Sequence, residues 1–428
     1  MKLVFHIVWL ILLNTWLKKV YKISKKGDFV SGLKGIKTVR DFEFQDKVVF
    51  LRLDLNVPLE KGRITDETRI NATLETIRFI HEKGGKLVLA SHLGRPKSSK
   101  DKEFSLEPVA KSLTEKLDME VILIEDPNAT AVKQLLHTLR KDQIILLENV
   151  RFEPGETKDS EEFAQRLASY TDIYINDAFG ASHRAHASIH ALPQLIPQKG
   201  IGLLIEKEIN MLDKLLHNPQ RPYVAVLGGS KVSDKIAVIE KLLDIVDAFV
   251  VGGAMAYTFL KAQGQFVGKS LVENDKLKYA KEMIDRIEAR NKTILLPVDH
   301  VVTTSITDTQ NPRVSKTIEE NELGVDIGPE TLKNFSTLLA EAGTIFWNGP
   351  MGVFETKEFS KGTFGLAKSI AESKAVKIVG GGDSAAAAVA SGYADQMTHI
   401  STGGGASLEY LQGDKLPGLE VLRYKVRG

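Results

Sequence analysis

Val48-Val49-Phe50-Leu51-Arg52-Leu53 runs straight into Asp54-Leu55-Asn56, and Leu87-Val88-Leu89-Ala90 runs into Ser91-His92-Leu93-Gly94-Arg95. Each is a short apolar, β-rich run that stops at a cluster of polar, charged and glycine residues. The pattern returns at Ile144–Leu147, which leads into Glu148-Asn149-Val150-Arg151, and at Ile173–Ile175, which leads into Asn176-Asp177-Ala178-Phe179-Gly180 and then His183-Arg184. Stretches of helical period separate the runs. Apolar strands alternating with amphipathic helices read as βαβ units on parallel sheets covered on both faces. In such sheets ligands bind beyond the carboxyl ends of the strands. Arg69, early in the helix after the first strand, adds a further cation, so Arg69, His92, Arg95, Arg151 and Arg184 are expected to pool around Asp54 and Asn56. Guanidinium groups grip phosphate and carboxylate through paired hydrogen bonds, and the expected ligand is a small polyanion.

The second half repeats the alternation with runs at Tyr223–Leu227, Ala248–Val251, Thr293–Leu296, Thr344–Trp347 and Val376–Val379. Here glycine marks the strand ends: Gly228-Gly229-Ser230-Lys231, Gly252-Gly253, Gly380-Gly381-Gly382-Asp383-Ser384 and Gly403-Gly404-Gly405. A glycine turn that opens a helix presents backbone N–H groups and the positive end of the helix dipole to an anion. Gly380–Gly382 precedes the helix-forming Ala385–Ala388; for Gly252-Gly253 a purely conformational role is the stronger reading. Asp383 is an oxygen donor suited to Mg²⁺. Lys231 and Lys235, four apart on the helix expected after Gly229, would face one phosphate region, and Glu355 is a candidate ribose acceptor.

The chain has 428 residues, more than one hydrophobic core ordinarily serves, so two α/β lobes are expected. The boundaries read as an extension over 1–35, a first lobe over 36–203, an interdomain helix and hinge over 204–220, a second lobe over 221–410 and a tail over 411–428. The helix expected around Leu203–Leu216 has an apolar face, with Pro219 and Pro222 beyond it. With 43% apolar and 26% charged residues and no cysteine, the composition is that of a globular chain lacking disulfides and thiolate metal sites. A net charge of +2 gives no bulk attraction to nucleic acid or acidic membranes. The apolar run Val4–Leu13 is short for a membrane span and reads as a dispensable extension or a weak membrane-contacting helix. A cytoplasmic location is expected.

The motifs Arg52-Leu53-Asp54-Leu55-Asn56-Val57-Pro58, Ser91-His92-Leu93-Gly94-Arg95-Pro96, Glu148-Asn149-Val150-Arg151-Phe152, Asn176–Gly180, Leu227–Val232, Trp347-Asn348-Gly349-Pro350, Gly380–Asp383 and Ser401–Gly405 occur in this order. Together they resemble the phosphoglycerate kinases of bacterial type, from about Ile36 to Leu422. The resemblance implies two doubly wound, Rossmann-like lobes joined by a helical hinge and a monomeric enzyme. It implies reversible transfer of a phosphoryl group between 1,3-bisphosphoglycerate and ADP, giving 3-phosphoglycerate and ATP, in line and without a phosphoenzyme. The acid would be bound by Asp54, Leu55, Asn56, Arg69, His92, Leu93, Gly94, Arg95, Arg151 and Arg184. The Mg²⁺-nucleotide would be bound by Lys231, Lys235, Gly252, Gly324, Asn348, Glu355, Gly381, Gly382, Asp383 and Ser384. Arg69, Lys231 and Lys235 would act on the migrating group, with the helix N-termini at Gly382 and Gly404. Departures are small: Leu55 stands where phenylalanine is common, Ser230 where alanine is, and Ser384, which keeps its hydroxyl, where threonine is. A nucleotide-dependent dehydrogenase is disfavoured because no G-x-G-x-x-G follows a strand, and a simple binding protein would have no use for Lys235 and Asp383 opposite the basic cluster.

Overall fold

The computed structural model describes residues 32–126 and 129–424. The apolar run near the N-terminus, and most of the extension read for residues 1–35, lie outside the described residues. Six parallel strands form a first sheet: β1 (Val48–Leu53), β2 (Lys86–Ala90), β3 (Glu120–Ile124), β4 (Gln143–Leu147), β5 (Ile173–Asp177) and β6 (Gln198–Ile201), in the order β3-β4-β2-β1-β5-β6. The central strands are buried along nearly their whole length, as strands covered on both faces must be. Register places Arg52 beside Ala90 and Asn176, so the polar clusters after β1, β2 and β5 emerge at one end of the sheet.

A second parallel sheet holds β7 (Tyr223–Leu227), β8 (Ala248–Val251), β9 (Thr293–Leu295), β13 (Thr344–Asn348), β14 (Val376–Val379) and β15 (His399–Ile400), in the order β9-β8-β7-β13-β14-β15. Between β9 and β13 the chain makes a small antiparallel sheet of β10 (His300–Thr303), β11 (Arg313–Ser315) and β12 (Leu323–Ile327), with β10 in the middle. The alternation of strand and helix does not foresee this insertion. Both parallel sheets carry helices, which makes the fold the expected doubly wound α/β type.

Six helices matter for the site. They are α1 (Thr68–Glu82), α2 (Leu203–His217), α3 (Ile236–Leu242), α4 (Gly382–Ala390), α5 (Gly405–Gln412) and α6 (Pro417–Glu420). The helix α2 runs between the sheets, and one apolar cluster continues from Phe50, Val88 and Tyr174 through Ile205, Ile209 and Leu212 to Tyr223, Ala225 and Leu227. Two carboxylates sit buried on α2 among these apolar groups, and both are fully engaged. Glu208 accepts from His399 Nε2 at 2.8 Å, Thr402 N at 2.9 Å and Thr402 Oγ1 at 3.1 Å. Asp213 accepts from Tyr410 Oη at 2.6 Å and from the backbone of Gly32 at 2.9 Å. Among the described residues, contacts to the body of the fold reach back to Gly32. At the other end of the chain, α6 binds the first sheet's side through Gly418 N to Ser182 O at 2.9 Å, and Arg423 donates to Gly32 O at 2.9 Å. No described helix is long and apolar enough to cross a membrane.

Candidate functional site

The polar clusters at the ends of β1, β2 and β4 are knitted together by the Gly94 peptide. Its N–H donates to Asn56 Oδ1 at 2.8 Å and its carbonyl accepts from Arg151 Nη1 at 2.6 Å, while Gly94 takes a φ of +58° that favours glycine. Asn149 holds the turn from behind, accepting from Leu93 N at 3.2 Å and donating to Leu93 O at 2.7 Å. Arg69, on the first turn of α1, pairs with Asp54. Arg95, Arg151 and Arg184, with Lys97, Lys158 and His186, line an open cleft of about 520 Å³. Arg151 Nε is buried there without a hydrogen-bond partner among the described residues, and burial, reinforced by Arg184 and Arg52, lowers the Arg151 pKa to about 10. An unsatisfied buried donor on a guanidinium, in a cleft crowded with cations, is suited to an anion.

Of the residues expected at this site, Arg95, Arg151 and Arg184 line the cleft, and Asp54, Asn56, Arg69 and Gly94 do not. Leu55 is wholly buried, with its N–H donated to Ser91 Oγ at 2.8 Å, and Leu93 is buried as well; both shape the turns. His92 is 3% exposed and its Nδ1 lies 3.4 Å from Arg52 Nη2. Burial first, and then the positive charges of Arg52, Arg151, Arg184 and Arg69, push its pKa well below the usual imidazole value. His92 is therefore a neutral group packed behind the arginines. Lys97, Thr157, Lys158 and His186, which line the cleft, were not singled out from the sequence. Lys97 follows Arg95-Pro96, and Thr157-Lys158 lies just beyond Arg151-Phe152, so proximity to a strand-end motif was the available signal.

In the second sheet Asn348, 1% exposed at the end of β13, joins two parts of the site. Its Oδ1 accepts from Lys235 Nζ and its Nδ2 donates to Gly380 O at 2.6 Å. Burial lowers the Lys235 pKa, against the opposing charges of Asp234 and Asp383. Ser384 Oγ accepts from Gly349 N at 2.5 Å, which locks the start of α4 onto the turn after β13. Gly381 precedes α4 with a φ of +93°, no side chain caps the helix, and a Cβ added at Gly382 would meet nothing within 4 Å. An uncapped helix start in open space is an anion seat, and Asp383 sits exposed in its first turn. Gly404 likewise precedes an uncapped α5 and faces open space. That turn leans on the first sheet's side: a Cβ at Gly403 would strike Phe179 at 2.5 Å.

Lys231 departs from the expected geometry. Residues 233–235 form a single tight turn and α3 begins only at Ile236, so Lys231, exposed and outside any helix, shares no helical face with Lys235. Ser233 pins the turn instead, donating its N–H to Glu273 Oε2 at 3.0 Å and its hydroxyl to Oε1 at 2.5 Å. Two other glycines have steric explanations. A Cβ at Gly252 would meet Met351 Sδ at 2.3 Å, and one at Gly324, on β12, would lie 1.8 Å from Tyr257 Oη. The rigid Tyr257 ring leaves no room for a side chain at Gly324, whereas at Gly252 the neighbour is the flexible end of Met351. Glu355 is exposed after the β13 turn.

The arrangement pairs a basic cleft on one parallel sheet with a glycine-opened helix start, a lysine and a carboxylate on another. The sequence profile of phosphoglycerate kinase matches residues 39–414. A protein named phosphoglycerate kinase from Bdellovibrio bacteriovorus is 73% identical over 399 residues, covering 93% of this chain and 100% of the relative, and one from Clostridium botulinum is 48% identical over 393 residues, covering 91% and 99%. The solved phosphoglycerate kinase of Coxiella burnetii superposes with a TM-score of 0.82 at 43% identity, covering 90% of this chain and 98% of its own, and that of Pyrococcus horikoshii with 0.78 at 34% identity over the same shares. Motif order, the two-sheet architecture and near-complete coverage of these relatives all lead to one assignment: the chain belongs to the phosphoglycerate kinase family.

Proposed function

We propose that this enzyme carries out the reaction its family is named for, moving a phosphoryl group reversibly between the acyl phosphate of 1,3-bisphosphoglycerate and ADP. The observation that carries the reading is the pair of anion seats at the carboxyl ends of two separate sheets: the cleft of Arg95, Arg151 and Arg184 with its unsatisfied Nε, and the uncapped start of α4 beside Lys235. In this proposal Arg95, Arg151 and Arg184 grip the charged groups of the acid, and Asn56 and Asp54 orient it. Arg69 and Lys235 bring positive charge to the oxygens of the group in transit. Transfer of this kind asks the protein for position and charge rather than for a covalent intermediate, so direct in-line transfer needs no nucleophile from the chain. Lys231 is left with at most an electrostatic part.

The nucleotide phosphates are assigned to the N–H groups of Gly381–Ser384, with Asn348 holding Lys235 in place. The donors present suit Mg²⁺. No described group of three or more His, Cys, Asp or Glu could hold a metal unaided, and a single exposed carboxylate, Asp383, beside a phosphate seat fits an ion that takes few protein ligands and keeps waters and phosphate oxygens. When bound, Mg²⁺ supplies charge neutralisation to the nucleotide phosphates. We assign residues 36–203 to the acid-binding lobe, 204–220 to the hinge, 221–410 to the nucleotide-binding lobe and 411–428 to the returning tail. The buried bonds from Glu208 on α2 to His399 and Thr402 support a hinge there, and closure about it would exclude water from the acyl phosphate. The enzyme is proposed to act as a cytoplasmic monomer.

The test is consumption of ATP with 3-phosphoglycerate and Mg²⁺, coupled to reduction of the acyl phosphate product. Rapid turnover that needs all three supports the reading. A folded protein with no turnover in either direction overturns it.

A further inference from the structure

Beneath the basic cleft lies a buried acid that the proposed chemistry does not use. Glu156 is completely buried, and so, at 1% exposure, is Arg52 of β1. Ser188 stands between them. Its backbone N–H donates to Glu156 Oε2 at 2.9 Å and its hydroxyl donates to Oε1 at 2.7 Å, while the hydroxyl accepts from Arg52 Nε at 2.7 Å. Arg52 Nη2 lies 3.8 Å from Oε1. The backbone joins in, with Ala187 N donating to the Glu156 carbonyl at 2.8 Å. Burial raises the Glu156 pKa, and Arg52 and Ser188 oppose the rise. His186 is 3.9 Å away, but burial and the neighbouring arginines lower its pKa to about 4, so it brings no charge.

A buried ion pair is a poor device for stability alone, because apolar residues of like volume serve as well or better. Its location points to another role. The segment that carries Arg151 leads directly into Glu156, and the segment that carries Arg184 leads into Ser188. The two guanidinium groups disfavour each other's charge, and Glu156 acts the other way on Arg151. Without a tie, like charges would spread the two walls of the cleft.

We infer that Glu156 is a positioning residue for the acid substrate: through Ser188 and Arg52 its carboxylate holds the Arg184 segment against the Arg151 segment and sets the spacing of the cleft. This rests on the proposed binding of phosphoglycerate in that cleft. Glu156 touches no substrate and takes no part in the transfer itself.

The test compares Glu156→Gln, Ser188→Ala and Arg151→Ala with the parent, varying 3-phosphoglycerate at saturating Mg²⁺-ATP and then the reverse, with thermal unfolding recorded for each. An amide offers one acceptor oxygen where Ser188 presents donors to both carboxylate oxygens, so Glu156→Gln is expected to raise KM for 3-phosphoglycerate about tenfold, a loss on the scale of one charged hydrogen bond. KM for ATP and kcat should stay within about twofold, since the seat at the start of α4 is not touched. Ser188→Ala keeps the backbone donor and should give a smaller rise in the same constant; it decides the matter if Glu156→Gln does not fold. A lowered melting temperature with unchanged KM in both variants would make the cluster merely structural and overturn the inference. If Arg151→Ala also leaves KM unchanged, the failure lies with the site itself; if Arg151→Ala alone raises it, the failure lies with Glu156.

Discussion

Asn348→Ala is the substitution from which most can be learned, because a single side chain serves both Lys235 and the strand end that opens α4. Its removal deletes one hydrogen bond to a charged donor, from Lys235 Nζ, and one neutral bond, to Gly380 O. At about 1.5–3 kcal/mol for the first and about 0.5–1.5 for the second, the second lobe should lose roughly 2–4.5 kcal/mol. For a unit of this size about 3 °C accompanies each kcal/mol, so its unfolding midpoint should fall by roughly 6–13 °C. Function should suffer separately, since Lys235 loses the group that aims it. Steady-state kinetics at a temperature where the variant is fully folded should show kcat down at least tenfold, about 1.4 kcal/mol in the transition state, with KM for 3-phosphoglycerate unchanged. A variant that melts early yet keeps parental kcat and nucleotide KM would refute the reasoning: Asn348 would then be a packing residue and Lys235 would have no part in transfer.

Arg69→Ala should lower kcat by roughly 10³-fold or more, with nucleotide KM little altered, as for other arginines that neutralise a transferring phosphoryl group; turnover within tenfold of the parent would remove Arg69 from the transition state. Gly324→Ala forces a Cβ to within 1.8 Å of Tyr257 Oη and 2.3 Å of its Cζ, and overpacking of this kind costs about 1–3 kcal/mol. Tyr257→Phe should not relieve it, because Cζ remains, whereas Tyr257→Ala should show positive coupling in a double-mutant cycle; equal rescue by both would exclude the steric account. Burial holds the pKa values of Asp177 and Asp326 up at about 7, against 3.8 for a free aspartate. The native protein thus binds more protons than the unfolded chain between these values, and the stabilisation present below about pH 4 is lost as pH rises through about 7. Replacing both by Asn should flatten the stability profile across that window, and an unaltered slope, measured by denaturant titration, would show that neither carboxyl is protonated in the fold.

Much of the architecture is open to reading because its causes are local. The central strands are continuous apolar runs, and β1, β2, β4, β7, β8, β13 and β14 announce themselves that way. Those not read, β3, β6 and β15, are all at sheet edges; β6 and β15 carry little apolar signal, since Gln198–Ile201 reads Gln-Lys-Gly-Ile and β15 is only His399–Ile400, whereas β3, Glu-Val-Ile-Leu-Ile, carries the same apolar signal as the central strands. The antiparallel insertion β10–β12 carries a weak signal too, since its strands are only three to five residues long and β11 is largely exposed. Lys231 and Lys235 share no helical face because the tight turn at Ser233–Lys235, pinned by Glu273 forty residues away in sequence, comes before α3.

What the order of residues determined unaided was the parallel α/β class and the strand ends at which polar and glycine residues gather, together with the family those motifs resemble. These follow from side-chain periodicity and turn chemistry, which act over a few neighbouring residues. Only the folded chain decided which of the basic groups share a cleft, that His92 is neutral behind them, that Glu156 lies buried below, and that Gly252 and Gly324 answer to Met351 and Tyr257. Such outcomes depend on burial and on partners as distant as Lys235 and Asn348, 113 residues apart, and solvent exclusion is a property of the packed molecule, absent from any local stretch of it.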